Sequence, residues 1–451
     1  MNNIIEMERK YCSQGDTSGK RNPKKYFTAA NGNFLYDEHG VAYLDMQMLN
    51  GSACFGYQHP VFHDKLLSQA TIMPGLAPEF MNENRVMLSA KICEYMKENY
   101  GVNGRVHFNV GGASAVDDAI KLIANLKKTR DVFTFEGSYH GRTIAASGIS
   151  SSYRYVRQFR TDLHTYRVPF PNCSRCAYAM HFNKCNMFCL EQFNRLFKNE
   201  FYGIYDTNAK SCRYGAFVAE PILGRGGYVC PPNGYFKRLK EILDEYRLLF
   251  VCDEVQMGFF KTGRLWSFEH FDVVPDIIIF SKAISNGIWP LSGIWAREEV
   301  IAPDIWPAGS SHATFTGHPI ATALGLAAFS VMEEPGFKEK IQKSASFLHT
   351  IIQGLKRDYN FIDRLDMIGH VVGFDIVNND KTPNSTLART IVETALNRVF
   401  NINGTDHCLI MNSGGMFNNS IMLSPSVFIS ENEIELFNVL IRHYIHLVIN
   451  T

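Results

Sequence analysis

From about residue 80 to about residue 325 the chain alternates short apolar runs with longer amphipathic stretches. That alternation limits what it can fold into. Runs at 105–110, 131–135, 216–219, 248–252 and 276–280 predict buried strands, and stretches at 84–100, 115–128 and 234–246 predict helices. Strand and helix in turn imply an α/β fold with a mostly parallel sheet covered on both faces. Residues 32–45 read as two short strands joined by a turn. Past about 330 a helix-rich stretch gives way to strands near 366–377 and 408–424, then to a helix over 431–449. A chain of 451 residues is long for one core. The expected division is a large domain over 76–330, with the ends, 1–75 and 331–451, forming a smaller α+β domain.

Composition removes several classes of function. A formal net charge of +1 gives no electrostatic case for nucleic acid or an anionic membrane. No apolar run is long enough for a membrane span, and the first residues lack the basic-then-apolar pattern of a secretory signal. Eleven scattered cysteines fit a reducing, cytoplasmic setting better than a disulfide framework.

Chemistry is signalled at two strand ends. The apolar run 276–280 is closed by Lys282 within Ser-Lys-Ala-Ile-Ser-Asn-Gly, and the run 248–252 delivers Asp253 in Asp-Glu-Val-Gln-Met-Gly. An amine and a carboxylate so placed are what a protein needs to hold pyridoxal phosphate. The amine joins the cofactor aldehyde as a Schiff base, and the carboxylate keeps the pyridine nitrogen protonated. Four further segments fit that cofactor. Asn109-Val-Gly-Gly-Ala-Ser-Ala115 follows a strand and opens a helix, so its amides can cradle a phosphate. In Ser138-Tyr-His-Gly-Arg-Thr143, Tyr139 can stack on a flat ring and Arg142 can fork a carboxylate, although a solvated loop would look the same. Val255 would face the ring and Gln256 would reach a ring oxygen. Thr314-Phe-Thr-Gly-His-Pro319 offers hydroxyls to a phosphate, or else a cap for the helix that follows.

Together these segments resemble the class III aminotransferases, the ω-aminotransferase group of fold-type I pyridoxal phosphate enzymes, over nearly the whole chain. The most specific stretch is 251–287, with Asp-Glu-Val-Gln, Lys261-Thr-Gly-Arg264, Val274-Pro-Asp276 and the lysine. The resemblance implies a ping-pong transamination through pyridoxamine phosphate, with Lys282 moving the proton at the substrate's α-carbon and Asp253 paired to the ring nitrogen. It also implies that Gln256 lies near the ring hydroxyl and that Tyr139 stacks on the ring. Gly112 and Ala113 would form the phosphate turn, and Glu220 would lie beside the site. Thr314 would reach the phosphate of the neighbouring subunit, making the enzyme a homodimer with shared sites.

The chain departs from that family where relatives using glutamate carry Gly-Glu-Gly-Gly and, on a late strand, an arginine. Here the loop is Gly224-Arg-Gly-Gly227 and Met422 stands at the arginine's place. Two facing arginines would repel by about 4 kcal/mol at 4 Å near a protein surface. Exchange of both partners therefore keeps one cation in the pocket. Arg225 is the first candidate for binding a substrate carboxylate and Arg142 the second; the other possibility is that Arg225 faces solvent and the pocket takes a neutral amine. The segment 46–57 and the partner's loop near His312 are expected to shape the pocket.

Cys173, Cys176, Cys185 and Cys189 have the spacing C-x2-C-x8-C-x3-C, compatible with tetrahedral zinc or with free thiols, and catalysis is expected to need no metal. The leading expectation is an aminotransferase working between an amino acid or ω-amine and a keto acid, ketone or aldehyde. The alternative on the same scaffold is an amino-acid racemase or 2-epimerase. A non-catalytic scaffold fits poorly with a chain that keeps Lys282, Asp253 and Gln256.

Overall fold

The computed structural model of the protein describes residues 2–13, 15, 25–152 and 164–450, so parts of the N-terminal stretch 1–75 lie outside the described residues. Its central sheet has seven strands. Their spatial order is Gly104–Asn109, Ser292–Arg297, Ile277–Phe280, Leu249–Asp253, Ala216–Ala219, Val132–Phe135 and Thr165–Val168. Neighbours are parallel except where Ser292–Arg297 runs antiparallel to both of its partners.

Side chains leave a strand alternately to its two faces, and this sheet buries both. Val251, Ile277 and Ile279 pack against Ala115, Val116 and Ile123 of the helix Gly112–Lys127. Phe250, Cys252, Ile278 and Phe280 join the opposite core, which includes Leu239 of the helix Tyr235–Glu245 and Leu324 of Pro319–Met332. Burial of each such side chain stabilises the fold by roughly 1.5–3 kcal/mol. That is why four-residue runs with no polar member become strands here.

The two strands that sequence reading did not mark lack that signal. Thr165–Val168 carries Arg167, whose guanidinium donates to the Gly148 and Ser150 carbonyls (2.6 and 2.8 Å). Ser292–Arg297 begins with a serine and a glycine.

A second packing unit draws on both ends of the chain. Ala42–Asp45 pairs in parallel with Thr405–Ile410 inside a five-stranded sheet. The N-terminal part of that sheet has three strands rather than two, because Phe27–Asn31 also pairs with Phe34–Asp37; its mostly exposed residues give no alternation to read. A four-stranded antiparallel sheet has the order Ile362–Ile368, Val371–Ile376, Ser420–Leu423 and Asn412–Gly414. It shares a core with helices Phe337–Asp358, Ser385–Asn397 and Glu431–Ile449 through Leu348, Phe374, Ile391 and Phe437. The last helix opens with a reciprocal cap between Ser430 and Glu433.

The helix cap, the other reading of the Thr314 segment, does not form: helix Pro319–Met332 starts with proline after His318, and no side chain caps it.

Candidate active site

Asp253 pairs with Ile279 across parallel neighbouring strands, so Asp253 and Lys282 leave the sheet at the same edge. Ligands of open α/β sheets bind at this carboxyl edge. Lys282 adopts a left-handed backbone (φ 52°), an uncommon state for a residue with a side chain and one that clusters at functional sites. Burial draws its amine down to about 8, against the opposing pull of the Asp253 and Glu220 carboxylates; Lys261 and Arg225 add to the lowering. A lysine so displaced is far closer to a neutral base than a surface one.

Asp253 is buried and its two oxygens are both engaged. Oδ1 accepts from the Val255 amide at 3.0 Å, and Oδ2 stands 2.7 Å from His140 Nδ1. A carboxylate can only accept, so the proton lies on Nδ1. The other ring nitrogen of His140 reaches Thr134 Oγ1 at 3.1 Å, which in turn touches Ser138 Oγ at 3.2 Å. His140 stands between Tyr139 and Arg142 in the chain. Nothing in its neighbourhood along the chain indicates a partner 113 positions away.

Glu220 accepts from the Tyr139 amide (2.9 Å) and the Gly224 amide (3.2 Å). Burial pushes its carboxyl up to about 7; His140 opposes the rise and the Asp253 charge adds to it. A Cβ on Gly224 would fall 2.6 Å from both Glu220 Oε1 and Gln256 Oε1, so a side chain there would displace these two groups. Gln256 Nε2 donates to the hydroxyl of Tyr228 (2.8 Å), a buried residue with φ 53° that no motif along the chain marks.

The glycine turn lies beside these groups. Gly111 leads into helix Gly112–Lys127 without a side-chain cap and without an acidic residue in the first turn, which leaves the amide end of the helix available to an anion. A Cβ on Gly112 would come within 3.0 Å of Val255 Cγ1 and 3.6 Å of Ser281 Cβ, so the turn approaches the edge carrying Asp253 and Lys282. Gly141 (φ 133°) presses on the same turn, where an added Cβ would stand 2.5 Å from Ala113 Cβ. Amine, buried carboxylate and uncapped helix N-terminus therefore fit pyridoxal phosphate in one cluster.

The segment 46–57 is fastened to the loop after Lys282. Asn286 accepts from the Phe55 amide (2.9 Å) and donates to the Gly56 carbonyl (2.8 Å). Arg225 is half-buried, and its charge is felt at Lys282 and at Tyr228. Met422 is 2% exposed and fills core space. Arg142 is exposed. Thr314 is also exposed within one chain, next to a turn in which the Thr316 amide donates to the Ala313 carbonyl (3.0 Å); His312 in the same loop pairs with Glu79 (2.9 Å). The four cysteines line one cavity beside Phe170 and Tyr178, and Cys173 is pushed up to about 11 by burial and by the other three. Among the described residues, no three His, Cys, Asp or Glu side chains stand in a metal-holding arrangement.

Comparison with known proteins agrees with this geometry. The family model "Aminotransferase class-III" matches residues 17–445. The leucine/methionine racemase of Thermococcus litoralis is 34% identical over 279 residues, 62% of this chain and 60% of that one, so the match spans less than two thirds of the relative. The alanine/serine racemase of Pyrococcus horikoshii is 28% identical over 440 residues, 96% of this chain and 87% of the relative. A probable 4-aminobutyrate aminotransferase of Bacillus subtilis is 27% identical over 431 residues, 94% and 92% of the two chains. The solved structure of a transaminase from a marine Virgibacillus superposes with a TM-score of 0.85 at 23% identity, covering 99% of both chains, and shares the fold.

Proposed function

The chain belongs to the class III aminotransferase family, and on that premise we propose that it is a pyridoxal phosphate enzyme moving an amino group between an amino acid or ω-amine and a carbonyl acceptor, through the cluster around Lys282. One observation carries the reading: a lysine depressed by burial and a buried, hydrogen-bonded carboxylate share one sheet edge with an uncapped helix N-terminus. Bound there, pyridoxal phosphate supplies an aldehyde that can hold an amino group between two substrates and a ring that draws electrons from bonds at the substrate α-carbon.

The residues divide that work. Lys282 Nζ would hold the cofactor through its aldehyde and, as an amine drawn down by burial, would carry a proton to or from the substrate α-carbon. Asp253, held in orientation by His140, would pair with the ring nitrogen. The amides at Gly112 and Ala113 would take the phosphate. Tyr139 and Val255 would cover the ring, and Gln256, oriented by Tyr228, would serve a ring oxygen. Glu220 keeps Tyr139 and Gly224 in place. Arg225 binds the substrate carboxylate; Arg142, which is exposed, is the second candidate.

Thr314 would serve the site of a second copy. Large apolar side chains on the surface support a homodimer: Met81 is 84% exposed, Ile72 74%, Ile144 73% and Phe315 60%. Ile144 lies two residues from Arg142, and Phe315 directly follows Thr314. No helix among the described residues is long and apolar enough to cross a membrane, and a cytoplasmic place is part of the proposal.

Two racemases among the relatives favour a second reading on the same scaffold, in which Lys282 returns the proton so that the enantiomer forms. Purified holoenzyme given a panel of single-enantiomer amino donors separates the two. Transfer predicts loss of the cofactor's visible band with donor alone and its return with a keto acid. A catalytic yield of the other enantiomer in deuterated water without keto acid, and no stoichiometric amino transfer, would sink the transaminase reading.

A further inference from the structure

We propose that Arg364 is a positioning residue that fixes the loop 224–228 from behind and thereby sets the carboxylate-binding cation Arg225; this rests on the reading of Arg225 given above. Arg364 lies on the strand Ile362–Ile368 and is 4% exposed. Its Nη2 donates to the Gly227 carbonyl at 2.6 Å and its Nη1 to the Tyr228 carbonyl at 3.3 Å. The same guanidinium pairs with Asp366 Oδ2 (2.6 Å) and Asp375 Oδ1 (2.9 Å). Both carboxylates do further work. Asp366 accepts from the Cys230 amide (3.1 Å), just past the loop; Asp375 accepts from Ser420 Oγ (2.6 Å) and pairs with Arg175 (3.6 Å). Two arginines and two aspartates leave the assembly neutral, so it adds no net charge near the substrate.

Arg364 Nε is buried without a partner, so the guanidinium is satisfied through its two Nη groups, and for charge alone the two carboxylates would be enough. What distinguishes Arg364 is that two of its donors go to the loop backbone instead. That backbone has little room elsewhere. Gly227 has φ 119°, and a Cβ there would stand 2.7 Å from Ser420 Oγ. A Cβ on Gly373 would meet the Gly227 carbonyl oxygen at 2.3 Å and Tyr228 Cβ at 2.8 Å. The Gly415 amide donates to the Arg225 carbonyl at 3.2 Å.

The loop is thus fastened along its rear to the four-stranded sheet, while its side chains serve the other side. Arg225 is felt at Lys282, and Tyr228 takes the Gln256 amide. A displacement of about 1 Å in such a group is enough to cost rate or affinity severalfold. Four acceptors surround this one side chain, more than the three donors of a lysine could serve.

The test uses the full-length holoenzyme and two amino donors, one bearing a carboxylate and one a plain amine. Arg364→Gln is expected to raise KM for the carboxylate donor about tenfold or more, with KM for the amine and both kcat values within about threefold. Arg364→Lys should lie between. In an Arg225→Gln background the Arg364→Gln change should move the KM ratio less than about twofold, since the residue acts through Arg225. If Arg225→Gln shifts the ratio and Arg364→Gln does not, the positioning role is overturned while Arg225 keeps its own. If Arg225→Gln leaves the ratio unmoved, the reading of Arg225 fails and takes the proposal with it. Should Arg364→Gln not fold, Arg364→Lys at an unchanged melting temperature decides: an unmoved ratio overturns the proposal.

Discussion

His140 Nδ1 and Asp253 Oδ2 stand 2.7 Å apart, both side chains buried, at a distance of 113 residues along the chain. The pair orients the carboxylate that, on the proposed function, would face the ring nitrogen. A hydrogen bond to a charged group contributes about 1.5–3 kcal/mol. His140→Asn is therefore expected to lower the rate of the amino-donor half-reaction about ten- to hundredfold. Asp253→Asn should lower it further, because it removes the charge and not just its orientation. Stopped-flow absorbance of the cofactor checks both; an unchanged half-reaction in His140→Asn would remove the histidine from the site.

Glu220 is a carboxyl raised to about 7 by burial, against an ordinary value of 4.5. Between those values the folded chain holds a proton that the unfolded chain has released, so this residue's contribution to stability falls as pH rises from 4.5 to 7. From pH 5 to pH 8 the loss is about 3 kcal/mol in the cofactor-free protein. Glu220→Gln is expected to lose less stability than wild type over that interval. Urea denaturation of both proteins at the two pH values measures the difference; parallel pH dependences would show that Glu220 is not raised.

Gly141→Ala places a methyl 2.5 Å from Ala113 Cβ at a φ of 133°. Strain of about 1–3 kcal/mol has to be relieved by moving the phosphate turn. Cofactor affinity should fall about five- to hundredfold while the melting temperature of the cofactor-free protein changes by only a few degrees. Fluorescence titration with pyridoxal phosphate reads the affinity, and wild-type binding would contradict the cradle.

Ile144→Asp puts a charge on a side chain that is 73% exposed in the single chain, two residues from Arg142. If two copies bury it, the carboxylate loses its water, and dimer and cofactor binding should weaken together by about tenfold or more. Analytical ultracentrifugation with cofactor titration follows both. A variant that sediments and binds as wild type would place the interface elsewhere.

Much of the large sheet is legible in the chain because strands such as Ala216–Ala219 and Ile277–Phe280 are uninterrupted apolar runs, and Lys282 and Asp253 can be picked out because they end two such runs. Thr165–Val168 and Phe27–Asn31 are not, since their polar residues are satisfied by contacts distant along the chain or face water. The cysteine spacing shows the opposite limit. It suggests a ligand set, yet the described thiols line a cavity without forming a metal-holding arrangement.

What the sequence determines by itself is local: apolar periodicity, strand ends, and the glycines at which a turn has to pass. Those suffice for the fold class, the cofactor and the family. Tertiary structure decides the relations between strand ends. It puts His140 against Asp253, stands Gln256 against Tyr228, and uses Arg364 to hold the carbonyls of Gly227 and Tyr228. The reason is physical. A buried hydrogen bond needs a partner at about 3 Å in space, and nothing in either residue's neighbours along the chain encodes which partner folding will bring there.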